Sequence, residues 1–169
     1  MEPDNATGGG GKMFVLSLDE QFARLHTRSR ALLELTPAEH LYKQPRQATN
    51  ALPVYSCGEH LLRSAATVEQ TFGGITANLW DDPFEWTLPE ALSTPARVAE
   101  YLYEVEATRR RGFALLTTDA DLSKEIALPS GEMQTLCALL LETLRRAAHY
   151  QGRAFATFRL FSDLRLPPA

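Results

Sequence analysis

The stretch that decides the fold is residues 130–153, SGEMQTLCALLLETLRRAAHYQGR. Its apolar side chains recur every three or four residues, a spacing that places them along one face of an α-helix. Those side chains are Met133, Leu136, Cys137, Leu140, Leu144 and Ala147, with Leu139 and Leu141 beside them. A face this wide predicts one long helix that neighbours cover on more than one side.

A polar cluster closes this predicted helix, beside a glycine. Its members are Arg145, Arg146, His149 and Tyr150. Polar groups gathered at the end of an otherwise apolar helix are candidates for a functional site, and we expect the chemistry of the protein near them.

Outward from that stretch, local signals predict three further main helices. The start signals are Ser17 with Glu20, Ser56 with Glu59, and Thr94 with Pro95. In the first two pairs the hydroxyl and the carboxylate each satisfy a free backbone N–H, which is a capping box. In the third pair the proline occupies the first helical position, where its missing N–H is not needed.

These elements predict an all-α fold, because four amphipathic helices bury their apolar faces best as an antiparallel four-helix bundle. The aromatic segment 77–91 is a long crossover between the second and third helices, and its Asp81-Asp82 before Pro83 is typical of a turn. We expect a flexible leader over residues 1–12, a single helical domain over 13–163 and a tail over 164–169. No alternation typical of strands is visible.

Composition limits the class of protein. The chain has 169 residues, 44% of them hydrophobic, and a formal net charge of −4. An acidic chain is a poor candidate for nucleic-acid binding, and no apolar run reaches the roughly 18 residues that a membrane helix needs. With no signal-peptide pattern and no disulfide or zinc spacing at Cys57 and Cys137, we expect a cytoplasmic protein. The run Arg109-Arg110-Arg111 is interpreted as a solvated helix face.

Three phrases in order resemble the DinB-like, or YfiT-like, family of four-helix bundles. They are SCGEHLLR at 56–63, TFGGITANLWDDPFEW at 71–86 and RRAAHYQGR at 145–153, and the resemblance spans about residues 16–161. It implies a divalent-metal site of three histidines, one in a phrase S-x-G-E-x-x-x-H on the second helix and two near the end of the fourth. The resemblance also implies a homodimer, since members of this family often form one. The family includes metal-dependent hydrolases and thiol transferases.

The histidine positions of that pattern carry other residues here. They fall on Arg63, Arg146 and Tyr150, while His60 and His149 lie nearby but out of phase. A guanidinium has no lone pair for a metal, so we predict no metal cofactor. Three interpretations stay open: a polar clasp between two helices, a pocket for a small anion, and a zinc or nickel ion held by His60, His149 and acidic residues. Glu59 and Glu142 are the carboxylates expected to neutralise the arginines if no ligand does.

The sequence therefore predicts a small-molecule-binding or stress-associated protein of the DinB-like type, without the three-histidine site. Its expected partners are a small anionic ligand and a second copy of the chain, with residues 155–161 or the tryptophan segment as the contact. The alternative is a metal-dependent hydrolase or thiol transferase.

Overall fold

A computed structural model describes residues 11–45, 55–84 and 89–167 of the chain. Over these residues the protein is mostly helical, in agreement with the predicted all-α class. The helices are α1 (Met13–Leu35), α2 (Ala38–Leu41), α3 (Cys57–Ala77), α4 (Pro95–Ala114) and α5 (Leu136–Arg159). Short 3-10 turns span Pro89–Leu92 and Asp119–Ser123, and a small antiparallel hairpin pairs β1 (Glu125–Ala127) with β2 (Met133–Thr135).

The four long helices surround one apolar core. Helix α1 contacts α4 and α5, and α3 contacts the same two helices from the other side. At the centre, the Phe22 ring lies edge-on to Phe72 with centroids 5.3 Å apart, and Phe113 contacts both rings. Gly112 faces the Phe72 ring so closely that a Cβ at this position would overlap it. Helix α4 therefore approaches α3 at a distance that only glycine permits at position 112.

Two of the predicted helix starts are confirmed. At the start of α3, the Ser56 hydroxyl accepts from the Glu59 N–H, and the Glu59 carboxylate accepts from the Ser56 N–H at 2.7 Å. At the start of α4, the Thr94 hydroxyl accepts from the Arg97 N–H. Both caps are local in sequence, which is why spacing alone predicts them.

The predicted start of α1 at Ser17 is wrong, because the helix begins four residues earlier at Met13. The Val15 N–H donates to the Asp119 carboxylate at 2.9 Å, and this contact joins residues 104 positions apart. The Ser17 hydroxyl donates instead to the Met13 carbonyl, inside the helix. A free N–H at the helix start is thus satisfied by a distant carboxylate rather than by the local box.

The stretch 130–153 is not one helix, which corrects the prediction for its first six residues. Residues 133–135 form β2 instead, opposite residues 125–127. Gly131 takes a left-handed φ of 84° in the turn before β2, a conformation that glycine adopts without strain. The Thr135 hydroxyl then accepts from the Ala138 N–H and caps α5, which continues through Gly152 to Arg159.

Most of the predicted apolar residues of α5 are buried or half-buried, whereas two of the predicted set are exposed. Leu136, Leu139, Leu140 and Ala147 are buried, and Cys137 and Leu144 are half-buried. Met133 and Leu141 are more than half exposed, because the first lies in the hairpin and the second on the outer side of the helix. Phe155 and Phe158 are buried in the core, so this part of the expected dimer contact packs within the chain.

The interpretation of the arginine run as a solvated face is wrong for Arg109, which is 3% exposed. Its guanidinium donates twice to Glu106, both at 2.8 Å, and also to Asp19 of α1. Burial opposes ionisation of Glu106, yet hydrogen bonds from Arg109 and Arg110 hold its pKa below the ordinary value. The other two arginines are exposed, as the pattern predicts, and Arg110 pairs with the same carboxylate.

A second carboxylate stabilises the connection from α4 to β1. The Lys124 ammonium contacts Asp121 at 2.6 Å, and the backbone N–H groups of Thr117 and Thr118 donate to the same carboxylate. These contacts hold the pKa of Asp121 well below its usual range. The ionised carboxylate therefore satisfies two backbone N–H groups of the loop that follows α4.

Buried polar bonds join α5 to its neighbours. They are Ser64 Oγ to the Ala147 carbonyl at 2.8 Å, the Thr71 and Thr143 hydroxyls at 2.8 Å, and Gln151 Nε2 to the Leu25 carbonyl at 2.6 Å. These three bonds pair buried polar groups across helix boundaries, so their burial leaves none of these groups unsatisfied.

The structure describes only part of the predicted leader and of the predicted tail. The predicted leader lies outside the described residues except for Gly11 and Lys12, and Leu166 of the predicted tail packs half-buried against the core. Among the helices that the structure describes, none combines the length and the apolar character needed to cross a membrane.

Candidate functional site

Three predicted site residues line one small polar cleft. Helix α3 supplies Arg63, Ala66, Thr67 and Gln70, helix α5 supplies Arg146 and Tyr150, and the α3–α4 connection supplies Asp82 and Phe84. We call this surface the arginine cleft. Its volume is about 40 Å³. That space holds roughly three water molecules or one small polar group, at about 10–15 Å³ for each water.

Helix geometry and one buried hydrogen bond bring the two arginines together. Side chains four residues apart share a face of a helix, so Arg146 and Tyr150 both point from α5 toward α3. The buried Ser64 hydroxyl donates to the Ala147 carbonyl at 2.8 Å. Ser64 directly follows Arg63 in sequence, and Ala147 directly follows Arg146. This bond therefore fixes the two helices relative to each other at the level of the arginines.

The Arg63 side chain is held in place by an aromatic ring. Its guanidinium carbon lies 4.2 Å from the centre of the Tyr55 ring, within the range of a cation–π interaction. Arg63 is half-buried and Arg146 is exposed. One charge of the cleft is thus oriented in advance, and the other is free to adjust at its rim.

Neither expected carboxylate neutralises these charges. The Glu59 carboxylate is taken up by the α3 cap and by Gln44, and Glu142 is exposed. Within the described residues, no carboxylate lies within 4 Å of the guanidinium nitrogens of Arg63 or Arg146. The two guanidinium groups are therefore available to an anion.

Asp82 is the acidic residue of the cleft, and the sequence analysis assigned it only to a turn. The turn is present, because Asp82 Oδ1 accepts from the Phe84 N–H at 2.9 Å. The connection is tied to α3 by Gln70, whose amide donates to the Trp80 carbonyl at 2.8 Å. The Phe84 ring packs edge-on against Tyr101 with centroids 5.5 Å apart. Asp82 reaches the cleft because the connection folds back onto α3. Local sequence spacing does not predict this position.

His60 lies beside the cleft but does not line it. It is 4% exposed and packs between two tyrosines, its ring centroid lying 5.7 Å from that of Tyr55 and 6.5 Å from that of Tyr150. Its Nδ1 has no hydrogen-bond partner in the described part of the chain. Burial, and then the charge of Arg153, lower its pKa. His149 is exposed, and its ring centroid lies 5.9 Å from that of Tyr150. The two histidines therefore lie near the same tyrosine without converging on one point in the cleft.

The residues at the three positions where the DinB-like pattern has histidines do not fit a metal ion. Arg63 and Arg146 have no lone pair to donate, and Tyr150 is a weak ligand by itself. Throughout residues 11–45, 55–84 and 89–167, no group of three histidine, cysteine or acidic side chains lies close enough together to hold one. The donor set of the cleft is instead that of an anion site, with cationic donors on two helices.

A larger groove lies at the other side of the molecule, between the start of α1 and the end of α4. Its volume is about 240 Å³, and Lys12, Leu16, Asp19 and Arg110 are among its lining residues. The Arg110 guanidinium is already paired with Glu106 at 2.7 Å. Because this groove offers less unneutralised positive charge, the arginine cleft is the stronger candidate for an anionic ligand.

Comparisons with known proteins leave the family open. The chain matches no protein-family model, no curated protein and no solved structure. The resemblance to DinB-like bundles therefore stays a prediction that depends on the sequence phrases alone.

Proposed function

We propose that this protein is a DinB-like antiparallel four-helix bundle that binds a small anionic molecule in the arginine cleft and has no catalytic activity of its own. Such a protein would act by binding, for example in a response to stress. The observation that carries the proposal is the pair Arg63 and Arg146, which line one cleft from two helices, with no carboxylate of the described residues in ion-pair contact.

Charge and size together favour a small anion. Two guanidinium groups in one cleft repel each other, and an anion offsets this repulsion by accepting charge-assisted hydrogen bonds from both. Carboxylates and phosphates match the planar donors of arginine. A cleft of about 40 Å³ takes the anionic group itself, so the rest of the ligand would extend outward.

A titration of the purified protein with inorganic phosphate and with propionate tests the proposal. Binding can be followed by the amide and arginine Nε–H signals in two-dimensional ¹H–¹⁵N NMR spectra. We expect saturable binding that weakens as salt rises, because the interacting charges are exposed to solvent.

Arg63→Gln and Arg146→Gln should each weaken binding about fivefold, since an exposed charge pair contributes up to about 1 kcal/mol. The matched control is Arg145→Gln, an exposed arginine of the same helix outside the cleft lining. The proposal is wrong if no ligand that carries a carboxylate or phosphate group binds saturably, or if Arg145→Gln reduces affinity as much as the two cleft variants do.

One observation supports the alternative of a metal-dependent hydrolase or thiol transferase. His60 is buried beside Tyr150 with an unpaired Nδ1, and an imidazole nitrogen of this kind is a metal ligand. Elemental analysis of untagged protein, followed by zinc and nickel titration, decides between the two functions. Stoichiometric metal that His60→Ala and His149→Ala both remove would favour the enzyme, whereas its absence would favour the binding protein.

We also propose a cytoplasmic location and a homodimer. Cys57 and Cys137 are free thiols, as is usual in a reducing compartment. Burial raises the pKa of the Cys57 thiol to about 11, so this thiol stays protonated at neutral pH.

Light scattering coupled to size-exclusion chromatography measures the mass of the proposed homodimer directly, and a monomer mass would contradict it.

A further inference from the structure

We infer that the ligand of the arginine cleft is a small zwitterion of the α-amino acid class, which carries an ammonium group beside its carboxylate. This inference depends on the proposed function, because it names the kind of anion that the cleft binds. Arg63 and Arg146 would bind the carboxylate, and Asp82 would bind the ammonium group.

The argument begins with the arrangement of charge in the cleft. The two arginines come from helices α3 and α5, whereas Asp82 comes from the connection that folds over them. All three line the same cleft, yet Asp82 makes no ion pair with either arginine at 4 Å or less. Charges of opposite sign thus face one small space without neutralising each other.

The hydrogen bonds of Asp82 leave an acceptor available. Its Oδ1 accepts from the Phe84 N–H, which fixes the carboxylate in the turn. In the described part of the chain, its Oδ2 takes part in no hydrogen bond or ion pair. A simple anion placed on the arginines would have this negative charge beside it and be repelled. A ligand that also carries an ammonium group converts the repulsion into a second ion pair.

The connection also supplies an apolar wall. The Phe84 ring lines the cleft and is held edge-on by Tyr101, whose hydroxyl donates to Glu69 at 2.5 Å. A short aliphatic side chain on the ligand would lie against this ring. The cleft therefore combines two cationic donors, one anionic acceptor and a small apolar contact, which are the features of an amino acid binding site.

Three ligands of nearly equal size test the inference on the wild-type protein: propionate, L-lactate and L-alanine. Lactate has a neutral hydroxyl where alanine has its ammonium group, and propionate has only hydrogen there. In the NMR titration we expect L-alanine to bind about three- to fivefold more tightly than the other two, the gain from one solvent-exposed ion pair. Equal affinity for alanine and lactate would overturn the inference.

Asp82→Asn should remove the preference for alanine, because asparagine keeps an oxygen for the Phe84 N–H but loses the charge. The same variant should bind propionate at least as well as the wild type does, since the repulsion is gone. Asp81→Asn is the matched control, being an exposed neighbour that does not line the cleft, and it should retain the preference. A preference that survives Asp82→Asn would also overturn the inference.

The outcomes separate this inference from the proposed function. Arginine-dependent binding of propionate, lactate and alanine with equal affinity would leave the anion cleft intact and reject the zwitterion. Absence of arginine-dependent binding for all three ligands and for phosphate would reject both.

Discussion

Replacing Gly112 by alanine should destabilise the protein, although alanine is the better helix former. A methyl group at this position would overlap the ring of Phe72, which is fully buried and packs against Phe22 at 5.3 Å and Phe113 at 5.2 Å. Because the ring is buried among these aromatic side chains, relieving the overlap would disturb the core, which should cost about 1–3 kcal/mol. The gain in helix propensity is at most about 1 kcal/mol and is smaller near the end of α4.

The net loss should therefore be about 1–2 kcal/mol in the free energy of unfolding. Urea denaturation followed by circular dichroism measures it, and thermal denaturation should show a melting temperature lower by about 2–4 °C for each kcal/mol in a chain of this size.

Gly152→Ala provides the matched control for this prediction. Gly152 is exposed within α5, and a Cβ there would meet no described atom within 4 Å other than the adjacent backbone of its own helix. The same substitution should stabilise the protein by about 0.5–1 kcal/mol, because alanine loses less backbone entropy in a helix. If Gly112→Ala proved neutral or stabilising, the close approach of α4 to α3 at Phe72 would be refuted.

Two further changes test the charged groups of the fold. Arg109→Ala should cost about 3 kcal/mol, because it leaves the buried Glu106 carboxylate with only one exposed partner, whereas Arg111→Ala on the same helix should change stability by less than about 0.5 kcal/mol in the same urea assay. Asp121→Asn should destabilise the protein at pH 7 through the loss of its contacts with Lys124 and the loop. A carboxylate whose pKa is lowered by folding stabilises the protein above its unfolded pKa, near 4, and loses that effect as the pH falls through its folded pKa. The difference in melting temperature between wild type and variant should therefore begin to shrink below about pH 4 and disappear only below the folded pKa of Asp121, which lies well below the usual range.

The helix starts show how far local sequence patterns extend. Ser56 and Thr94 cap their helices as predicted, because cap and N–H partner lie within three residues. The predicted cap at Ser17 fails because Asp119, more than a hundred residues away, satisfies the Val15 N–H. A contact of that range depends on the packed fold, and no spacing within a single sequence encodes it.

The same distinction applies to the hairpin and to the buried arginine. Residues 133–135 carry a helix-compatible pattern, and they form a strand because residues 125–127 are available to pair with them. Arg109 looks like its neighbours in sequence, and it is buried because Glu106 and Asp19 meet it from two helices.

The candidate site divides in a similar way. The positions of Arg63, Arg146 and Tyr150 follow from helix period and from the resemblance, and the structure brings these three residues into one cleft. Asp82 reaches the cleft through the path of a long connection, and that path depends on contacts such as the one between Gln70 and the Trp80 carbonyl. The resemblance, together with the four-residue spacing of Arg146 and Tyr150, therefore predicts the positive side of the site but not the negative side.

The buried bond from the Ser64 hydroxyl to the Ala147 carbonyl has a consequence for the proposed ligand site. If α5 slid along α3 by one turn, about 5.4 Å, this hydroxyl would lose its acceptor in the interior, at a cost of about 1–3 kcal/mol. The distance between the backbones at Arg63 and Arg146 is therefore fixed by the packing of α3 against α5. Changes of side chain at these positions would alter which chemical group is accepted, while the span that a ligand must bridge would stay the same.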